Sequence, residues 1–278
     1  MKHKILAIVV LLSLQTALFA QKIDKSKNEL KSNNTSTSTT STTTNSSNTS
    51  RSASNSNTHF GIGGFFLELF FYTGLYTTIG DYRTETHLYN NLSSYPYADG
   101  TSGDYVKIND VSESKNNMRF DLENHFLYST SSSFGNHFKA KWHPFQFFYI
   151  QGDYRVLVEK NQFTNSLSNL QLYHFSIAYD RLRFKKFNLG WAIGSSYIAS
   201  DVNKAGFSYG LHAAVFAFKN MSFTSAMQWS KINGKPVNSF EFRGKYHKKN
   251  YFFSMGYENL KIASPNYNYL TLGGGLYF

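Results

Sequence analysis

The sequence predicts an all-β fold: a transmembrane antiparallel up-and-down β-barrel of ten strands, behind a signal peptide and a disordered Ser/Thr/Asn-rich tether. Three observations predict it. Ten segments with alternating apolar residues follow Asn117, separated by short polar breaks. The chain carries 26 Phe and 20 Tyr, and within these segments the aromatic rings gather on one side of the alternation. The last ten residues, "YLTLGGGLYF", keep the pattern up to Phe278, whereas chain ends in water ordinarily fray.

Residues 1–20 are expected to be a signal peptide: Lys2 and Lys4, the apolar run "ILAIVVLLSL", then "TALFAQ" with cleavage after Ala20. The apolar core is too short to span a bilayer as a helix. Residues 21–58 are expected to be a disordered linker, because Ser, Thr and Asn offer no apolar surface to offset the entropy of ordering. Residues 59–117 hold an apolar segment (60–80) followed by a periplasmic linker or cap containing the turn-like "YPYADG" and "SESKNN". In 60–80, Glu68 and five glycines argue against a membrane-spanning helix. A helix lying in the inner leaflet or against the barrel fits best, and an extra strand pair would raise the strand count to twelve.

The barrel itself is expected over 118–278. Its segments run 118–129, 134–143, 146–158, 170–182, 187–198, 206–218, 221–231, 238–246, 251–262 and 268–278. Each is close to the ~9–11 residues a tilted strand needs to cross hydrocarbon. One face carries side chains such as Phe126, Phe138, Trp142, Ile150, Tyr154, Phe175, Ile177, Trp191, Phe242 and Met255. The other carries Gly, Ser, Gln and His together with Arg119, Lys139, Lys141, Arg155, Arg243 and Lys245, matched by Asp121, Glu123, Asp153, Asp180, Glu241 and Glu258. Rings outward and paired ions inward suit a strand between lipid and a polar lumen. Pro144, Pro236 and Pro265 fall in breaks, where no ladder hydrogen bond is lost.

The breaks alternate in style. Those at 143–145, 183–186, 219–220 and 247–250 are tight and mostly basic, while those at 159–169, 199–205 and 232–237 are longer and polar. Short turns on one side, longer loops on the other and an even strand count put both barrel ends, and the tether, in the periplasm. A soluble antiparallel sandwich would also show short alternating strands, but it would bury the ring-bearing face against a second sheet. The export signal and the terminal Phe speak against that.

"YLTLGGGLYF", with Leu276 and Phe278 in register, resembles the C-terminal signature of Gram-negative outer-membrane β-barrel proteins. The resemblance covers 118–278 and names no activity. It implies an outer-membrane location and recognition of Leu276 and Phe278 by the barrel-insertion machinery.

Charge and motifs narrow the function. Residues 118–278 hold 18 basic and 8 acidic side chains, and the paired luminal ions leave the excess elsewhere. Arg181, Arg183, Lys185, Lys186, Lys219, Lys248 and Lys249 at the tight turns form a basic rim suited to anionic lipid headgroups. Export makes nucleic acid an implausible partner, leaving outer-membrane lipid and a periplasmic or outer-membrane protein. There is no Cys, so no disulfide, thiolate metal site or N-terminal lipid. No Gly-x-Ser-x-Gly, His-Glu-x-x-His or phosphate-cradling loop occurs. His125 near Glu123 is the one lipase-like hint, and a third residue to act as nucleophile is not legible. No cofactor is expected. The expected role is structural or partner-binding and non-enzymatic; the alternatives are a narrow diffusion channel for small solutes and, third, a lipid-modifying enzyme.

Overall fold

A computed structural model describes residues 22–32, 74, 76–107, 118–161 and 165–278. The signal peptide, the linker beyond Ser32 and most of the apolar segment 60–80 lie outside the described residues. Contacts divide the chain into two units, Met1–Ser32 with Tyr82–Phe278, and Asn33–Asp81. Within the smaller unit the described residues hold a helical turn, where the Thr78 hydroxyl donates to the Gly74 carbonyl at 2.6 Å.

The larger unit is built on a closed barrel. Ahead of it come helix α1 (Lys22–Lys31) and a two-stranded ribbon of β1 (Asn91–Leu92) and β2 (Tyr105–Val106). The barrel strands are β3 (Arg119–Thr130), β4 (Ser133–His143), β5 (Phe148–Lys160), β6 (Leu167–Arg183), β7 (Phe187–Ile198), β8 (Lys204–Phe218), β9 (Met221–Ile232), β10 (Lys235–Lys248), β11 (Tyr251–Ile262) and β12 (Asn266–Tyr277). Each pairs antiparallel with the next, and β12 returns to β3, giving a closed ring of ten.

The seam explains why the chain ends in an ordered aromatic. Leu270 lies opposite Tyr128 and Tyr277 opposite Asp121. Beyond them the Phe278 N–H donates to the Phe120 carbonyl at 2.9 Å, and the Phe278 carbonyl accepts from the Phe120 N–H at 3.0 Å. Closure leaves no open edge, the condition for a sheet in lipid. The inward glycines of β12 make room: a Cβ on Gly275 would come within 2.6 Å of the Phe252 ring, which fills the lumen there.

The connections place the two barrel ends. At one end, here the turn end, lie Met118, Phe278 and the connections 144–147, 184–186, 219–220 and 249–250. The other, the loop end, carries 131–132, 161–166, 199–203, 233–234 and 263–265. The longer loop expected at 232–237 is a two-residue hairpin turn. Asn233 (φ 48°) and Gly234 (φ 76°) take the left-handed conformations that let a tight turn follow strand twist. Pro236, expected in a break, is therefore the second residue of β10, opposite Lys231 of β9, with its carbonyl accepting from the Ala263 N–H at 2.8 Å.

Outward residues are apolar around the ring, with Phe175, Ile193, Leu211, Leu272 and Met255 all exposed. Aromatic tiers flank this band. Tyr154, Tyr173 and Tyr197 follow one another at 4.8 and 6.2 Å on the loop side; on the turn side Phe148 and Trp191 flank Tyr179 at 4.7 and 5.7 Å, Tyr179 itself being buried beside Tyr82. A continuous apolar belt between aromatic tiers is a lipid-facing wall. The barrel is of the transmembrane kind.

Candidate functional site in the sealed lumen

The inward face is filled at three levels. At the loop end the inward positions turn from polar to apolar: Leu127, Leu157, Leu170, Leu172, Ile198, Ile232, Val237, Leu260 and Ile262 form one buried cluster with Tyr267 and Tyr269. α1 completes it. Its residues Ile23, Ser26, Lys27 and Leu30 recur at helical spacing and are all buried. The polar groups on that stripe are matched. The Ile23 N–H donates to Glu159 Oε2 at 2.9 Å, and Asn233 Nδ2 donates to the Leu30 carbonyl at 2.6 Å, so orphan groups at both helix ends are satisfied by the barrel. Ser26 Oγ donates to the Ile262 carbonyl at 2.9 Å, and Lys27 Nζ pairs with Asp201 at 2.9 Å. Glu29 accepts from the Ser264 N–H at 2.9 Å.

The expected linker 21–58 thus opens with a docked helix. Ten residues of modest helix propensity gain order from packing an apolar stripe, which composition alone hides.

Midway along the lumen is an ionic belt. Arg155 Nε donates to Glu258 Oε1 at 2.7 Å and Arg243 Nη2 to Glu258 Oε2 at 2.8 Å. Both guanidiniums also reach Glu241, which takes Lys139 Nζ at 2.8 Å. His137 bridges Asp153 and Glu258, each ring nitrogen 2.9 Å from a carboxylate oxygen. Lys245 pairs separately with Glu123 at 2.7 Å. These ions are nearly without solvent exposure, which is tolerable only because each meets opposite charge.

The twelve charges expected to form one network therefore divide. Lys139, Asp153, Arg155, Glu241, Arg243 and Glu258 make the belt, and Glu123 and Lys245 a pair beside it. Arg119 holds Asp121 at the turn end, while Asp180 joins a different cluster. Lys141 sits over the Tyr149 ring at 5.4 Å. His137, central to the belt, is legible only once register sets it between Asp153 and Glu258.

Residues 82–107 close the turn end. Asp104 meets Arg119 at 3.0 Å and accepts from Asn188 Nδ2 at 3.2 Å. The Tyr105 hydroxyl donates to Asp180, whose other oxygen lies 2.6 Å from His212 Nε2. A register shift between Asp180 and Leu182 accompanies this, a bulge re-aiming side chains at the barrel rim. Two members of the expected basic rim are spent here. Arg183 is fully buried, donates to the Leu88 carbonyl at 2.6 Å and stacks 3.8 Å over Phe147. Arg181 makes a two-pronged contact with Glu85 at 2.7 and 2.8 Å. Lys185, Lys186, Lys219, Lys248 and Lys249 stay exposed at the turns.

Between this cap and the belt lies a cavity of about 100 Å³, bordered by Arg119, Asp121, Lys141, Tyr149 and His212. A smaller one of about 40 Å³ lies beside Gln151, His174 and Gln228. These volumes suit a few bridging waters among polar walls.

The lipase-like hint resolves into a hydrogen bond. His125 Nε2 lies 2.8 Å from Ser254 Oγ, a neighbour that register supplies and sequence does not. His125 Nδ1, where an orienting acid would bind, has no hydrogen-bond partner among the described residues; Glu123 lies 4.0 Å from the other nitrogen. Both residues are buried. The serine–histidine pair is thus a buried hydrogen bond between β11 and β3. His137, Asp153 and Glu241 bring three potential ligand atoms within 4.8 Å, but Lys139, Arg155 and Arg243 already supply the positive charge there.

No protein-family model matches the chain, and no curated protein matches it. Among solved structures it resembles an outer-membrane channel from Pseudomonas putida F1, at 8% identity and TM-score 0.35, over 62% of this chain and 100% of that one. It also resembles the outer-membrane protein Ail of Yersinia pestis in a phospholipid bilayer nanodisc, at 10% identity and TM-score 0.35, over 59% and 100%. The crystal structure of Ail, the attachment invasion locus protein of that organism, aligns at 10% identity and TM-score 0.29 over 58% and 97%. Superpositions this loose add nothing to what the closed ring and its apolar belt already establish.

Proposed function

We propose that this chain is an integral outer-membrane barrel that does not conduct and does not catalyse, and whose role is structural or partner-binding. The observation that carries the reading is closure at three levels: a docked helix, a buried ionic belt and a folded cap. A channel needs a continuous wet path, and a lumen-sited enzyme needs access to its nucleophile. The apolar belt and closed ring support the outer membrane, because closed barrels are the sheet form that spans it. The tight turns and both barrel ends face the periplasm on this reading, and Leu276 and Phe278 are the residues the insertion machinery reads.

The second reading is a narrow channel that opens when the cap moves. The cap is held largely by polar contacts over a wet cavity, which is what favours it. Planar-bilayer conductance of the refolded chain from Gln21 separates the two, measured beside a chain beginning at Asn117. Silence in both, with folding established by a heat-dependent gel shift, is the expected result. Discrete salt-dependent openings of the full chain would replace the closed barrel with the channel.

A further inference from the structure

Residues 22–32 and 82–107 belong to one compact unit with the barrel, yet they seal opposite ends of it. Among the described residues α1 touches only the loop end. Its partners Asp201, Asn233 and Ser264 lie in three different loop-end connections, and Glu159 lies near the loop end of β5. The cap touches the turn end. Tyr105 reaches the Gln146 carbonyl, Asn90 the Arg183 carbonyl and Tyr97 the Phe218 carbonyl, each in or beside a turn-end connection.

The seat is specific. Ile23 and Leu30 complete an apolar layer that would otherwise face water, and both helix ends find partners on the barrel. A tether held free in the periplasm has no use for a buried stripe, nor for a lysine matched to Asp201.

We propose that α1 is a lid on the loop end, on the barrel face opposite the one that the cap of residues 82–107 closes. With the orientation proposed above, on which this rests, that face is the cell exterior, opposite to the periplasmic location the sequence suggests for the N-terminal region.

Because the chain has no Cys, single-cysteine labelling has no background. Three exposed positions suffice: Asn28→Cys on α1, Ser131→Cys at the loop end and Lys219→Cys at the turn end. Each variant is first checked for the heat-dependent gel shift of a folded barrel, then treated with a membrane-impermeant maleimide on whole cells. The expected result is labelling of the first two in intact cells and of the third only after the outer membrane is permeabilised. Labelling of Asn28→Cys only together with Lys219→Cys would overturn the lid. Labelling of Lys219→Cys in intact cells, with the other two protected, would overturn the orientation and uphold the seat. A second measurement is independent of orientation. A short bis-maleimide should join Glu29→Cys to Ser264→Cys within one chain, and should fail to join Glu29→Cys to Lys219→Cys. Failure of the first link in folded protein would also overturn the proposal.

Discussion

The backbone N–H of Ile23, in the first turn of α1, donates to the buried carboxylate of Glu159, 136 residues further along the chain at the loop end of β5. An anion at a helix N-terminus satisfies an unpaired amide and favours the helix dipole. One side chain thus ties α1 to β5. Glu159→Gln should weaken that attachment by about 1–2 kcal/mol, the worth of a charge-assisted bond. The measurement is the reactivity of Ser26→Cys, whose position is buried in the seat. It should be protected with Glu159 present and become reactive with Gln. Equal protection in both would mean the bond contributes nothing.

The ionic belt should respond very differently to breaking one partner and to replacing both. Arg155→Met leaves Glu258 and Glu241 without a cation they contact. A buried charge stripped of its partner typically costs about 3–5 kcal/mol. Arg155→Met with Glu258→Leu removes the opposing charges together and should recover much of that loss. Lys141→Met, outside the belt, should stay within about 0.5 kcal/mol of the parent. Urea midpoints from the heat-dependent gel shift test all three, and an equal loss in each would discard the belt as a unit.

Acid should release the lid. Hydrogen bonds from Ser264 hold the Glu29 carboxyl below its usual range, and Lys27 does the same for Asp201. A depressed carboxylate pKa stabilises the folded contact above the unfolded value, ~4, and the contribution disappears as pH falls through the folded value. A dye on Asn28→Cys should therefore keep high anisotropy from neutral pH down to ~4 and lose it below. Glu29→Gln should remove its part of this acid dependence. Anisotropy independent of pH in the parent would exclude these carboxylates as the fastening.

Neutralising Lys185, Lys186, Lys248 and Lys249 to Gln should weaken association with anionic vesicles, by up to about 1 kcal/mol per residue at low salt. Arg181→Gln should act on stability instead, because its guanidinium is engaged by Glu85. If vesicle association is unchanged by the four lysine substitutions, the rim is only a set of solvated turn ends.

Much of the wall was legible before any coordinates. Strand parity follows from where Phe and Tyr sit, and the positions that alternation assigns inward, from Arg119 to Glu258, point inward. The missed features share a cause. The loop-end lining, Leu157 and Leu260 among them, is apolar on the inward parity, so both faces of those strand ends look alike and alternation is silent. The α1 stripe of Ile23, Ser26, Lys27 and Leu30 has helical spacing but only two apolar members, and it precedes a polar tract that dominates the composition. Asn233–Gly234 is a standard tight-turn dipeptide that the length of the polar break concealed.

Sequence by itself determined the kind of wall this protein builds, because side-chain period and residue polarity are local properties that lipid and lumen select independently at every strand. Tertiary structure alone decided what fills the wall. Which ions meet, where Arg183 is buried and which end α1 closes depend on strand register and on contacts across more than a hundred residues. Those pairings are properties of a closed ring, and no local pattern encodes where a ring brings distant strands face to face.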